Sequence, residues 1–198
     1  MNAVPGHDPS ICTKRSRIRT ESLSILTIDN RFGKWYTIYR KNERGSEMNT
    51  TIFNKMINEY NRLSYTHNYI FGFIDNGTVY AVITTAKVLP YVLTLDKASR
   101  GCGYSIRFSP TKAQKEYLKT FKLIPLCSDN YFNAVVDHSK YNKGEIFEKM
   151  VTEMFGQEWK KDNVPFTDDG DITVDGTAFQ IKFQKATFAN EKQLERLA

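Results

Sequence analysis

A chain of 198 residues that is 40% hydrophobic and 13% aromatic can bury a real core, which excludes long disorder away from its ends and suits one compact domain or one with a sizeable elaboration. Its formal net charge of +6 favours polyanionic partners through counterion release. No run of about 18 apolar residues exists and residues 1–18 lack an apolar h-region, so neither a transmembrane helix nor a signal peptide is expected; Cys12, Cys102 and Cys127 show no CxxC pairing, so no zinc site or disulfide framework is expected, and free thiols fit a cytoplasmic location.

Residues 1–20 carry Lys14, Arg15, Arg17 and Arg19 and read as a basic flexible arm, either solvated or touching phosphates. Residues 21–140 read as an α+β region that elaborates the N-terminal side and is suited to DNA recognition. Within it, Arg31, Trp35, Tyr36, Tyr39, Arg40, Lys41 and Arg44, and later Arg100 and Arg107, mix aromatic and basic character, which suits nucleic-acid contact and equally suits core edges or a solvated surface. The spacing of Ile52, Phe53, Met56, Ile57, Tyr60 and Leu63 predicts a helix over 51–64, with Asn49, Thr50 and Thr51 as caps. Residues 69–74 and 78–84 are β-branched and aromatic around Asp75-Asn76-Gly77, a hairpin pattern. Residues 88–95 read as an edge strand because they contain Pro90. A turn at Gly101-Cys102-Gly103 leads to a strand over 104–108. Ser109 and Pro110 read as the N-cap and first position of a helix, along which Lys112, Lys115, Lys119 and Lys122 form a stripe, solvated or phosphate-binding. Residues 122–143 read as loop-rich, with a boundary near 140. His7, His67 and His138 have no ligand spacing.

Residues 141–198 carry the chemistry. Phe147, Met150, Val151, Met154 and Phe155 recur with helical period and Gly156 ends the pattern. At roughly 100° per residue, Glu148 falls about 20° from Phe155, on the edge of this stripe, whereas Glu145 and Glu153 fall toward solvent. Next, Asp171–Val174 and Thr177–Phe183 flank Asp175-Gly176, a two-residue type I′ signal. In that register Val174 faces Thr177, Ile172 faces Phe179 and Asp171 faces Gln180. Alternation sends Ile172, Val174, Phe179, Ile181 and Phe183 to a core, and Asp171, Gln180, Lys182 and Gln184 together to the other side.

Such a group suits phosphodiester hydrolysis. A hard divalent cation takes oxygen ligands, and Asp171, Gln180 and the Ile181 backbone carbonyl offer three, with Glu148 able to hold a second metal or a water of the first. Lys182 projects from the same face, where it can orient or deprotonate a water and stabilise charge growing on a phosphate. The alternative is an ordinary hairpin with a polar outer face.

The ordered set G-x-x-F-E-x-x-V, then G-D-I, then Q-I-K, spanning residues 144–185 or about a fifth of the chain, resembles the PD-(D/E)XK nuclease superfamily. It is most similar to the branch of Mrr restriction endonucleases and Holliday junction resolvases. The resemblance implies a restriction-endonuclease-like α/β (α+β) fold, a mixed β-sheet flanked by helices, with the helix at 144–155 before the catalytic hairpin and a tail helix near 189–198, for which Asn190 is a candidate cap. It implies a metal-dependent active site of Glu148, Asp171, Gln180 and Lys182, with Mg²⁺ as cofactor and Mn²⁺ as a substitute. Gly170 replaces the family's proline, and Gln180 replaces the usual second acid, which lowers the negative charge of the site. The function implied is a DNA endonuclease of type II restriction kind, acting on double-stranded DNA as a homodimer, since cutting two strands takes two sites. A structure-specific phage or mobile-element junction nuclease is one alternative, and a catalytically degenerate DNA-binding protein is another.

Overall fold

The computed structural model describes residues 27–28, 36–37, 46–64, 66–97, 103–161 and 170–197. The chain divides into two units, Met1–Arg44 and Gly45–Ala198. Of the first, the described part is an antiparallel pair, β1 (Thr27–Ile28) and β2 (Tyr36–Thr37). The expected basic arm lies outside the described residues, as do Arg31, Trp35, Tyr39, Arg40, Lys41, Arg44, Arg100, Cys12, Cys102 and His7.

The second unit is a mixed α+β fold. Its main sheet runs β7 (Lys122–Ser128), β4 (Thr78–Thr85), β3 (Asn68–Asp75), β9 (Thr177–Phe183) and β8 (Ile172–Val174), in that order. All neighbours are antiparallel except β3 and β9, which are parallel. A smaller sheet runs β10 (Ala186–Asn190), β6 (Tyr104–Phe108) and β5 (Leu93–Lys97). Because β9 pairs with β3, the main sheet crosses the boundary expected near residue 140, and residues 45–198 fold together.

Strand alternation divides the core in two. One face of the main sheet presents Tyr69, Phe71, Phe73 and Val82 to α1 (Ser46–Leu63) and the smaller sheet, where Phe53, Met56, Ile57, Tyr60, Phe108 and Phe188 are buried. The other presents Ile70, Val79, Ala81, Ile181 and Phe183 to α4 (Asp129–Asp137) and α5 (Lys143–Met154), through Phe132, Ile146, Phe147 and Val151. Each large apolar side chain so buried contributes about 1.5–3 kcal/mol.

Several expectations are corrected. The first long helix starts at Ser46, so Asn49, Thr50 and Thr51 lie inside it rather than capping it. Residues 88–92 are not extended: a 3₁₀ turn (Ala86–Val88) runs into one helical turn, α2 (Leu89–Val92), with Pro90 in its first turn, where a missing N–H costs nothing. The strand begins only at Leu93, and it is the edge of its sheet. The next helix, α3 (Lys112–Leu118), is capped by Thr111 rather than Ser109. Thr111 Oγ1 accepts from Gln114 N while Gln114 Oε1 accepts from Thr111 N, a reciprocal box that satisfies two end donors and outweighs a lone serine. The stretch 122–143 is strand and helix, not loop. The lysine stripe is interrupted: Lys115 donates to the Ile74 carbonyl, Lys119 pairs with Asp75 at 2.5 Å, and Lys122 belongs to β7, while Lys112 and Lys122 are exposed.

Candidate active site

α5 is capped by Asn142, whose side chain accepts from Gly144 and Glu145 backbone N–H groups while Glu145 reaches back to Asn142 N. Glu145 is therefore a capping residue, and it also meets Lys161 at 2.6 Å. The helix ends at Gly156 in the left-handed region, with Gly156 N donating to Glu153 O and Gln157 N to Thr152 O, a Schellman closure. Ile146 belongs to the buried stripe, and Met154, expected there, is exposed. Phe147 is fully buried over Gly72 of β3, where a Cβ would stand 2.3 Å from the Phe147 ring. Only glycine lets the helix come this close to the sheet. That approach sets the position of the next residue, Glu148.

Glu148 is half-buried, and its Oε1 accepts from the indole Nε1 of Trp159 at 2.9 Å. Burial pushes its carboxyl above the ordinary range, and the charge of Asp171 adds to this; the Trp159 bond and the charge of Lys182 pull the other way. Asp171 and Lys182 are thus both within electrostatic reach of Glu148.

The β8–β9 hairpin has the expected register, Val174 opposite Thr177 and Ile172 opposite Phe179, with Asp175 and Gly176 both at positive φ. That is the type I′ turn that matches strand twist. Ile172, Ile181 and Phe183 are buried in the core beneath α4 and α5, with Val174 and Phe179 packed against it. Asp171, just before β8, donates its N–H to Phe179 O at 2.8 Å. Its Oδ2 accepts from Ile181 N at 2.6 Å, and Gln180 Nε2 lies 3.0 Å from both oxygens. Gly170 sits at φ +67°, and a Cβ there would lie 2.7 Å from Phe179 O. Proline, fixed near φ −65°, cannot adopt this backbone. The local hairpin geometry therefore accounts for glycine before the aspartate. Gln184 serves the fold, accepting from Ile74 N at 3.1 Å and donating its own N–H to Gly72 O.

No family model matches this chain, and no curated protein or solved structure matches it either.

Of the four expected residues, Asp171 and Gln180 are in direct contact, and Glu148 lies within electrostatic reach of Asp171 and Lys182. Among the described residues no three His, Cys, Asp or Glu side chains cluster as a metal group. The oxygen donors that remain are the Asp171 carboxylate, the Gln180 amide oxygen once its planar group is turned over, the Ile181 carbonyl and Glu148. The charge of Asp171 adds to the raised proton affinity of Glu148, which a cation between acids would relieve, and these oxygen donors are of the type a hard divalent ion takes.

Two neighbours escape sequence reasoning. Trp159 follows the helix in a polar stretch, Gln157–Lys161, and only its type, a large ring with one donor, hints at a partner. Tyr60 of α1 reads as core, yet its hydroxyl responds to Asp171; burial first, then Tyr69, push its proton affinity up. Tyr69 itself lies beside Gln180 in the parallel pairing. Of the histidines, His67 and His138 take no part. Cys127 is a free thiol, pushed up by burial, as suits a packing residue.

Proposed function

We propose that this chain is a Mg²⁺-dependent endodeoxyribonuclease that hydrolyses phosphodiester bonds in double-stranded DNA, in the manner of a type II restriction enzyme. The observation that supports the reading is the Asp171–Gln180 contact on a register-fixed hairpin, with Glu148 of α5 within electrostatic reach of Asp171 and Lys182. Asp171 and Gln180, with the Ile181 carbonyl and Glu148, would hold the ion; Mg²⁺, or Mn²⁺ in its place, would supply Lewis acidity at the scissile phosphate. The chain's own residues do the rest. Lys182 offsets the negative charge that grows on the phosphate and orients the attacking water. Glu148 would hold a second ion or a water of the first, and Lys182 can take the proton from that water. The net charge of +6 favours the polyanionic substrate. A homodimer supplies the second site that a double-strand cut requires. No helix among the described residues is long and apolar enough to cross a membrane, and DNA as substrate fits a cytoplasmic enzyme.

The test is digestion of plasmid, phage and four-way-junction DNA with Mg²⁺ or Mn²⁺. Discrete fragments from linear DNA support the restriction reading, and selective cutting of junctions supports a resolvase. No cleavage of any of them ends the nuclease reading. A second reading has one observation in its favour: Gln180 turns its NH₂ toward both Asp171 oxygens, filling the acid with a donor as a decayed, DNA-binding site would. Calorimetric titration with Mn²⁺ separates the two, because a decayed site shows no binding that depends on Asp171.

A further inference from the structure

The segment after α5 is fastened to the site at three points. Gln157 Nε2 donates to the Thr173 carbonyl of β8. Trp159 donates to Glu148 and meets the Tyr141 ring edge-on, with centroids 5.1 Å apart. Lys161 pairs with Glu145 at 2.6 Å and lies 5.7 Å from the centre of the Tyr141 ring. The strap thus bridges the strand that follows Asp171 and the helix that carries Glu148. Among the described residues it meets an expected site residue through the indole N–H.

An indole is a donor only, so it can bond to a carboxylate but never competes with it for a cation. The bond takes Oε1 and leaves Oε2 for the site. It also restricts a side chain that would otherwise sample several rotamers.

We propose that Trp159 is a positioning residue for Glu148, its indole N–H fixing the carboxylate toward Asp171 so that a divalent cation meets an ordered second acid. This rests on the nuclease reading for its purpose, and its test does not depend on cleavage. Trp159→Phe removes the N–H and keeps an aromatic ring against Tyr141, while Trp159→His restores a ring N–H donor. Mg²⁺ or Mn²⁺ binding is measured by calorimetry on the unmodified protein and both variants, with melting curves confirming that each is folded. Outer-shell partners of metal ligands are typically worth about 10- to 100-fold in affinity or activity. Trp159→Phe is therefore expected to weaken binding at least about 10-fold, with Trp159→His in between. In metal-free protein, Glu148→Ala is expected to move the Trp159 indole N–H resonance to a water-exposed position. Unchanged binding in Trp159→Phe, equal losses in Phe and His variants, or an indole resonance indifferent to Glu148 would each overturn the proposal. If binding follows the predicted order but no DNA is cut, the nuclease reading fails and the positioning role stands. If DNA is cut and Trp159→Phe binds metal and cuts as the unmodified protein does, the positioning role fails and the nuclease reading stands.

Discussion

Two hairpins lie side by side in the main sheet and obey the same local rules. β3–β4 turns at Asn76-Gly77 and β8–β9 at Asp175-Gly176, each with two consecutive residues at positive φ. The parallel register puts Tyr69 beside Gln180, Ile70 beside Ile181 and Phe71 beside Lys182. On the face toward α5 both strands are apolar. On the other face β3 carries Tyr and Phe into a buried core, whereas β9 carries Lys182 and Gln180, the latter bonded to Asp171. Turn chemistry and register are common to the two; what makes one a scaffold and the other a candidate site is the residue type at alternate positions of a single face.

The sharpest way to break this comparison is to truncate matched positions. Lys182→Ala is expected to reduce Mg²⁺-dependent cleavage by about 10²- to 10³-fold, the typical loss for one charge-stabilising group, while shifting stability by no more than about 0.5 kcal/mol. Phe71→Ala, its neighbour, is expected to lose about 3–5 kcal/mol of stability. Paired thermal melts and DNA digests check both, and a Lys182 variant that melts as low as the Phe71 variant would erase the distinction.

Gly72 tests the link between scaffold and site. A methyl group there collides with the Phe147 ring, so Gly72→Ala is expected to cost about 1–3 kcal/mol through overpacking, read by denaturant titration, and to reduce cleavage because Glu148 moves with its helix. Gly170→Pro demands a φ that the hairpin does not provide. It is expected to lose roughly 1–3 kcal/mol, the scale of strained backbone, and to lose activity as Asp171 is displaced. A fully active Gly170→Pro protein would contradict the hairpin geometry.

Acid–base behaviour gives a smaller effect. Glu148 binds its proton more tightly folded than unfolded. Its contribution to stability is therefore greatest below the ordinary carboxylate range and is lost as pH rises through the raised value. Glu148→Gln removes that loss. It should melt higher than the unmodified protein at pH 7, with the gap closing below about pH 4, and it should cleave DNA poorly. Smallest of all is Lys119→Ala, which removes the ion pair holding α3 to the β3–β4 turn. It is expected to cost about 0.5 kcal/mol and to leave DNA affinity unchanged, since this lysine is engaged by Asp75 and Glu116.

Local signals were legible and distant ones were not. The Asp-Gly bend, the period-two alternation and the register of β8–β9 follow from short-range sterics, so the grouping of Asp171, Gln180 and Lys182 could be read from residues 171–184. The place of Glu148 at the edge of its helix stripe follows from a 3.6-residue period, and Asn190 as a cap from its own amide, which accepts from Gln193 N at 2.9 Å. The parallel pairing of β9 with β3 was not legible, because it joins residues more than a hundred positions apart and leaves no mark in either strand. Strand β10 was also missed: it is short, and the alternation of Ala186, Phe188 and Asn190 is too brief to separate from the helix that follows. Pro90 misled because proline marks both an edge strand and a first helical turn. Trp159 was invisible for the same reason as β3–β9, since its meaning lies in the partner it meets.

The most direct measurement is Mg²⁺-dependent digestion of linear DNA by the unmodified protein beside Lys182→Ala, each shown folded by its melting curve. The account predicts discrete fragments from the first and essentially none from the second. Equal cleavage by both, or none by the unmodified protein at any Mg²⁺ or Mn²⁺ concentration, would contradict it.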